Sequence, residues 1–198
     1  MSTGKLLYIG NKLSKEGRTI SSIETLSSLL KQEGYIVISA SASHYKILRL
    51  LDMLWTTVKY SRQVSKVLID TYSTQNFYYA VAVSKCCRIL NLDYIPILHG
   101  GNLPNRLRKS PAICKNFFGK AFTNVSPSMY LFEAFKAEGY TNLTYIPNTI
   151  ELKNYPFLKR DSTAPKLLWV RSFSEIYNPK MALDVLALLK NKGLDASL

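Results

Sequence analysis

The sequence predicts an α/β protein built on a parallel sheet with helices on both faces. Short apolar runs of strand length alternate with longer stretches of helical spacing along almost the whole chain, and that alternation is the signature of β/α layering. The 198 residues are 47% hydrophobic and 20% charged, a globular composition long enough for one large domain and part of a second. Aromatic residues make up 12%, which excludes a disordered tail. Cys86, Cys87 and Cys114 are odd in number, two are adjacent, and none has metal-ligand spacing. A disulfide scaffold or zinc module is therefore not expected, and a reducing cytosol is.

The first strand is Leu6-Leu7-Tyr8-Ile9, an apolar run too short for the core of a signal peptide. A helix follows over 20–33: Ser21 and Glu24 have the spacing of a capping box, Gly34 supplies the stop, and Ile23, Leu26, Leu29 and Leu30 share one face. A strand over 35–39 precedes a helix over 45–62, in which Ile47, Leu51, Leu54 and Val58 form the expected inward stripe of an amphipathic core helix. The alternative for that segment is a membrane-surface helix. Its apolar run is broken by Arg49 and Asp52 and falls well short of the roughly 20 residues that span a bilayer.

Next come a strand over 67–69 ending at Asp70, a helix over 74–90, and a strand over 94–98 whose Pro96 predicts a place near a sheet edge or strand end. His99-Gly100-Gly101-Asn102 follows at once. A strand over 122–125, a helix opened by Ser126-Pro127 and stopped at Gly139, and a strand over 144–146 complete a first domain over 1–150. The stretch 151–165 is polar and proline-bearing and reads as a linker. After it, Leu167-Leu168-Trp169-Val170 is expected as a strand, and Asn178-Pro179 opens a helix to Lys192 with Gly193 as its stop. One strand and one helix cannot bury both their apolar faces, so 166–198 reads as the first β/α unit of an incomplete second domain. The alternative is that this unit packs back onto the first sheet as a final strand and helix.

His99 stands directly after a strand, where open α/β sheets bind ligands, and the glycines beyond it let backbone approach a ligand closely. The loop from Gly10 to Thr19 is a second candidate, because a helix N-terminus after Gly17, Arg18 and Thr19 can face an anion; it is not a dinucleotide-binding fingerprint. His44 lacks such context and is expected on the surface. Arg171 follows the expected strand of the second domain, and a guanidinium there suits two phosphate oxygens at once. No acidic residue lies between Asp93 and Glu133, while Arg106, Arg108, Lys109, Lys115 and Lys120 all fall in that interval. An uncompensated positive field beside His99 suits an anionic acceptor or anionic lipid headgroups. The formal net charge of +13 raises nucleic acid as a rival. Basic residues are spread over both halves without an RNP-type motif or arginine-rich helix, so no nucleic-acid partner is expected.

Taken in order, five segments resemble the family 4 glycosyltransferases of the GT-B fold, in which two Rossmann-like domains face each other across a cleft. They are the glycine-bearing loop from Ile9 to Thr19, His99-Gly100-Gly101, Val125-Ser126-Pro127-Ser128-Met129-Tyr130, Tyr145-Ile146-Pro147-Asn148-Thr149-Ile150, and the run from Leu168 to Pro179. The resemblance covers essentially the whole chain. It implies that 1–150 is the Rossmann-like acceptor-side domain and that 166–198 opens the nucleotide-sugar domain. It also implies transfer of a hexose from a UDP- or GDP-sugar to a glycan, polysaccharide or lipid-linked acceptor, with retention of configuration and without a cofactor or metal. His99 is then the catalytic residue beside the transferred sugar. Gly10, Gly17, Arg18 and Thr19 fall in the loop over the cleft; Gly100, Gly101 and Asn102, with Arg106, Arg108 and Lys109, fall on the acceptor side. Arg171 is the donor-phosphate contact.

Two departures stand out. Gly17-Arg18 replaces the family's paired glycines, and Arg171-Ser172 followed by Tyr177 replaces its Gly-Arg and later Lys. The family's paired-glutamate motif would lie beyond Leu198, so little or no transfer activity is expected of this chain alone. A cytoplasmic place, peripheral to the inner face of a membrane, is the expectation. The alternative function is a non-catalytic basic α/β module that binds an anionic ligand or nucleic acid.

Overall fold

Apolar β-branched runs and helical spacing resolve into six strands and seven helices in the computed structural model, which describes residues 4–10, 22–40, 45–148, 156, 157, 159, 165–171 and 173–198. The chain divides into two compact units, 1–149 and 150–198. In the first, β1 (Lys5–Ile9), β2 (Ile36–Ala40), β3 (Lys66–Tyr72), β4 (Tyr94–His99), β5 (Asn124–Ser126) and β6 (Leu143–Tyr145) form one parallel sheet in the order β2-β1-β3-β4-β5-β6. The fold is α/β and Rossmann-like. Among the described residues, all six strands of this sheet lie in the first unit.

The strand order dictates the layering. The crossover from β1 to β2 runs one way along the sheet and every later crossover runs the other way, and right-handed crossovers then place helices on opposite faces. Accordingly α1 (Ser22–Gln32) lies on one face, with Ile23, Leu26 and Leu30 against Tyr8, Val37, Leu68 and Ile97. The other face carries α2 (Lys46–Tyr60), α3 (Asn76–Ile89), α4 (Leu103–Lys109), α5 (Pro111–Phe118) and α6 (Met129–Ala137). Its core is aromatic: Phe117, Phe118, Phe135 and Tyr140 meet ring to ring at 4.5–6.0 Å, and Phe77 joins Phe117 edge-on at 5.8 Å.

Several elements differ from expectation. Pro96 lies in the middle of the sheet, opposite Ile69 of β3. The Asp93 carbonyl accepts from Val67 on the β3 side and the Tyr94 carbonyl accepts from Phe122 on the β5 side. By strand alternation the Pro96 nitrogen faces β5, which is only three residues long, so no bond to β3 is lost. The region between His99 and Phe122, for which no element was expected, folds into α4 and α5, each with a proline in its first turn. The cap of α6 is Ser128, whose hydroxyl accepts from the Leu131 amide at 3.3 Å; Ser126 ends β5 instead. Ser21 of the expected capping box, and His44, lie outside the described residues.

The largest departure is α2, which is turned over. Arg49, Met53, Thr56 and Thr57 face inward, while Ile47, Leu51 and Val58 of the expected core stripe point to solvent and only Leu54 packs on the core. Thr57 donates to the Met53 carbonyl at 2.8 Å, so its buried hydroxyl is satisfied within the helix.

The second unit is small. Helix α7 (Pro179–Asn191) starts after Asn178, whose left-handed backbone (φ 45°) ends a short turn over Glu175–Tyr177. The strand expected over 167–170 does not form. Lys166 makes a single parallel bridge to Ser197, held by Leu167 N–H to the Ser197 carbonyl (2.7 Å) and Ser197 N–H to the Pro165 carbonyl (3.1 Å). Leu168, Val170, Leu183 and Leu188 are exposed, and among the described residues of this unit only Ala196 is buried. A single bridged turn has too little neighbouring strand to sustain a ladder.

Candidate functional site

The point where the strand order reverses lies between β1 and β3, and open parallel sheets bind ligands at the carboxyl ends of strands beside such a point. Side chains alternate between faces along a strand, so Tyr8 of β1, Asp70 and Tyr72 of β3 and His99 of β4 all emerge on the α1 side. There they form one cluster. Asp70 Oδ1 accepts from Tyr8 Oη at 2.9 Å and lies 2.8 Å from His99 Nε2, with the Asp70 side chain 2% exposed and that of His99 10%. The Tyr72 ring stacks on the imidazole with centroids 4.7 Å apart and planes 16° apart.

An ionised carboxylate only accepts, so the short Asp70–His99 contact places a proton on Nε2. In the neutral tautomer Nδ1 is then a bare acceptor, and among the described residues it has no hydrogen-bond partner. The cluster is electrostatically one-sided. Burial, with the Asp70 carboxylate second, pushes the Tyr8 hydroxyl far above its ordinary pKa, and the same two causes push Tyr72 up to about 12. Both phenols therefore stay protonated, and Tyr8 serves as a fixed donor to Asp70.

Gly10 closes the cluster from beneath. It follows β1, and a Cβ at this position would lie 2.5 Å from Asp70 Oδ2 and 3.2 Å from Ile23 Cδ1. The glycine is thus required by the approach of a carboxylate rather than by a bound ligand. On the open side, His99 edges a cavity of about 410 Å³ between α1 and the sheet. Its walls are apolar, from Leu26, Leu30, Leu68, Ile95, Ile97 and Val125, with Ser22, Thr25 and Asn148 among its polar groups. A mostly apolar cavity with a few convergent polar groups is the usual form of a small-molecule site.

The other expected site residues sit as follows. Gly100 has φ +78° with nothing within 4 Å of its Cβ direction, and Gly101 and Asn102 are exposed between β4 and α4. Arg106 turns inward: Nε and Nη2 donate to the Ser73 carbonyl at 3.2 and 2.6 Å, and its guanidinium lies 5.2 Å from the Phe77 ring and 5.6 Å from that of Tyr78. Arg108 and Lys109 are exposed at the end of α4. In the second unit the exposed Arg171 lies 5.5 Å from the Tyr177 ring. Gly17, Arg18 and Thr19 lie outside the described residues. Asp70, Tyr8 and Tyr72 were not anticipated as members of the cluster. The signal was an acid directly after the apolar run Val67-Leu68-Ile69, at the end of a central strand.

The fold and cluster define an α/β protein with a carboxylate-held histidine at the carboxyl-end edge of its sheet. No family model and no curated protein sequence matches the chain. Among solved structures, adenosylmethionine-8-amino-7-oxononanoate aminotransferase from Methanocaldococcus jannaschii DSM 2661 is similar at 13% identity with a TM-score of 0.33, over 48% of this chain and 24% of that one. A likeness that slight bears on neither fold nor chemistry.

Proposed function

We propose that this chain is the acceptor-side portion of a cytoplasmic glycosyltransferase of the family it resembles, acting on a nucleotide-activated hexose and a glycan, polysaccharide or lipid-linked acceptor. The observation that carries the reading is the Asp70–His99 pair at the carboxyl ends of β3 and β4, beside the strand reversal and opening on a cavity. A histidine fixed in orientation by a buried carboxylate suits hydrogen bonding to a sugar hydroxyl, because its second ring nitrogen is oriented before the ligand arrives. Gly100, directly after His99 and in left-handed backbone, has open space where a side chain would stand. Departure of the nucleoside diphosphate would be favoured by fixed N–H groups and basic side chains, with Arg171 as the contribution of the second unit. Positive charge without acid between Asp93 and Glu133 favours an anionic donor or acceptor nearby.

The test is a titration of ¹⁵N-histidine-labelled protein with a panel of UDP- and GDP-hexoses and oligosaccharides. At least one is expected to shift the His99 imidazole at millimolar concentration, with affinity reduced about tenfold or more by His99→Ala, in line with loss of a ligand hydrogen bond to a charged or polarised group. Asp70→Asn is expected to retain the fold yet move the His99 nitrogen shifts in the absence of ligand, because the amide changes the proton arrangement. If every compound leaves His99 unmoved, or if sub-micromolar RNA or DNA binding persists at physiological salt, the reading fails.

A further inference from the structure

A helix on the surface of a globular domain normally turns its apolar stripe inward. Helix α2 does the reverse. Relative to the direction of Leu51, the 100° step of an α-helix places Ile47, Leu48, Leu51, Trp55 and Val58 within an arc of about 100°. All five are exposed, Ile47 by 76% and Trp55 by 67%, and Tyr45 at the N-cap is 74% exposed. The opposite arc is taken by Arg49, Met53, Thr56 and Thr57, all buried. The helix has therefore committed its polar side to the protein and kept a continuous apolar strip outside. Single exposed apolar residues need no explanation, but a strip of this length does.

We infer that α2 is a membrane-surface helix that seats the protein in the interface of an anionic bilayer. The charges around the strip select that occupant. Lys59 and Arg62 extend the outward face at its C-terminal end, both exposed, and neighbouring α3 carries exposed Lys85 on the same layer. Asp52 is the exposed acid on α2. In a chain of net charge +13, pairing two copies through this face would bring like charges together, whereas anionic headgroups complement them. Trp55 and Tyr45 add the amphipathic rings that favour the headgroup level. Among the described residues no helix is long and apolar enough to cross a membrane, so α2 lies in the interface plane with its strip toward the acyl chains. This assignment is independent of the sugar-transfer reading, since His99 plays no part in it.

The chain contains two tryptophans, so Trp169→Phe leaves Trp55 as the sole indole reporter. With vesicles of phosphatidylcholine mixed with phosphatidylglycerol, Trp55 emission is expected to move to the blue and to be quenched by brominated acyl chains, and the unmodified protein is expected to co-sediment. Vesicles of phosphatidylcholine alone are expected to bind roughly tenfold or more weakly, as is Lys59→Gln/Arg62→Gln on the anionic vesicles. Leu48→Gln/Leu51→Gln changes only exposed positions and is expected to lose vesicle binding with its circular dichroism intact. Absence of co-sedimentation by the unmodified protein overturns the inference, as does equal binding by the Leu48→Gln/Leu51→Gln variant. A concentration-dependent dimer in sedimentation velocity that the same variant abolishes would assign the face to a second copy and overturn it too.

Discussion

Gly10→Ala is the sharpest probe of the site because the geometry fixes both its direction and its size. The added methyl carbon would lie 2.5 Å from Asp70 Oδ2, against an ordinary contact of 3.4 Å or more, and 3.1 Å from Asp70 Cγ. The shortfall of 0.9 Å must be made up by the carboxylate or by backbone. Asp70 cannot retreat freely, because its other oxygen holds Tyr8 at 2.9 Å and His99 at 2.8 Å. Overpacking of this kind costs about 1–3 kcal/mol, and stretching one buried charge-assisted bond adds about 1 kcal/mol, so the variant should be about 2–4 kcal/mol less stable. For a chain of this length each kcal/mol lowers Tm by about 2–4 °C, which gives a fall of roughly 4–16 °C by circular dichroism. The matched control is Gly101→Ala, where the new carbon meets only Tyr130 Cε1 at 4.0 Å and the change should stay within about 0.5 kcal/mol. Equal melting of Gly10→Ala and Gly101→Ala, with unchanged His99 nitrogen shifts, would refute the account of Gly10 as the floor of the cluster.

Two further outcomes follow from groups around it. Arg106→Ala should cost about 1–3 kcal/mol in urea unfolding, since it removes two bonds to the Ser73 carbonyl and the contact with Phe77, whereas Arg108→Ala should stay within about 0.5 kcal/mol; equal effects would mean that Arg106 is not a structural arginine. Burial pushes the Cys87 thiol up to about 12 and the Cys114 thiol to about 11. Unfolded thiols ionise near 8.5, so above that value the unfolded chain holds fewer protons than the folded one and stability falls as pH rises. The urea midpoint should be level up to about pH 8 and decline toward pH 11, and Cys87→Ala should flatten part of that decline; a midpoint that rises over this range would contradict the burial of these thiols.

Much of the fold can be read from residue order alone. Tyr8, Leu68 and Ile97 fall in short apolar runs with glycine or proline punctuation, and such runs locate a strand without any knowledge of its neighbours. His99 is legible for the same reason, since its place at the end of β4 is a local fact. Asp70 is not, because its value comes from His99, 29 residues away, and from Tyr8, 62 residues away. The orientation of α2 was misread because periodicity identifies a stripe but not the side on which the protein lies. Satisfied Thr57 and buried Arg49 make an inward face that hydropathy scores as outward. Pro96 misled in a related way: a missing N–H matters only if its own side of the strand carries a full ladder, and β5 is short.

The central place of β3 has a consequence for how the cluster behaves in time. Its amides are flanked by β1 and β4 and its residues Val67 to Thr71 are buried, while β6 forms one margin of the sheet and is half open to water. Hydrogen exchange should therefore grade outward, with β6 released by local fraying and β3 only when the whole unit opens. Asp70 is carried on the strand expected to exchange slowest. Motions that loosen the margins would leave the carboxylate where it is, so the imidazole keeps its aim through every fluctuation short of global unfolding.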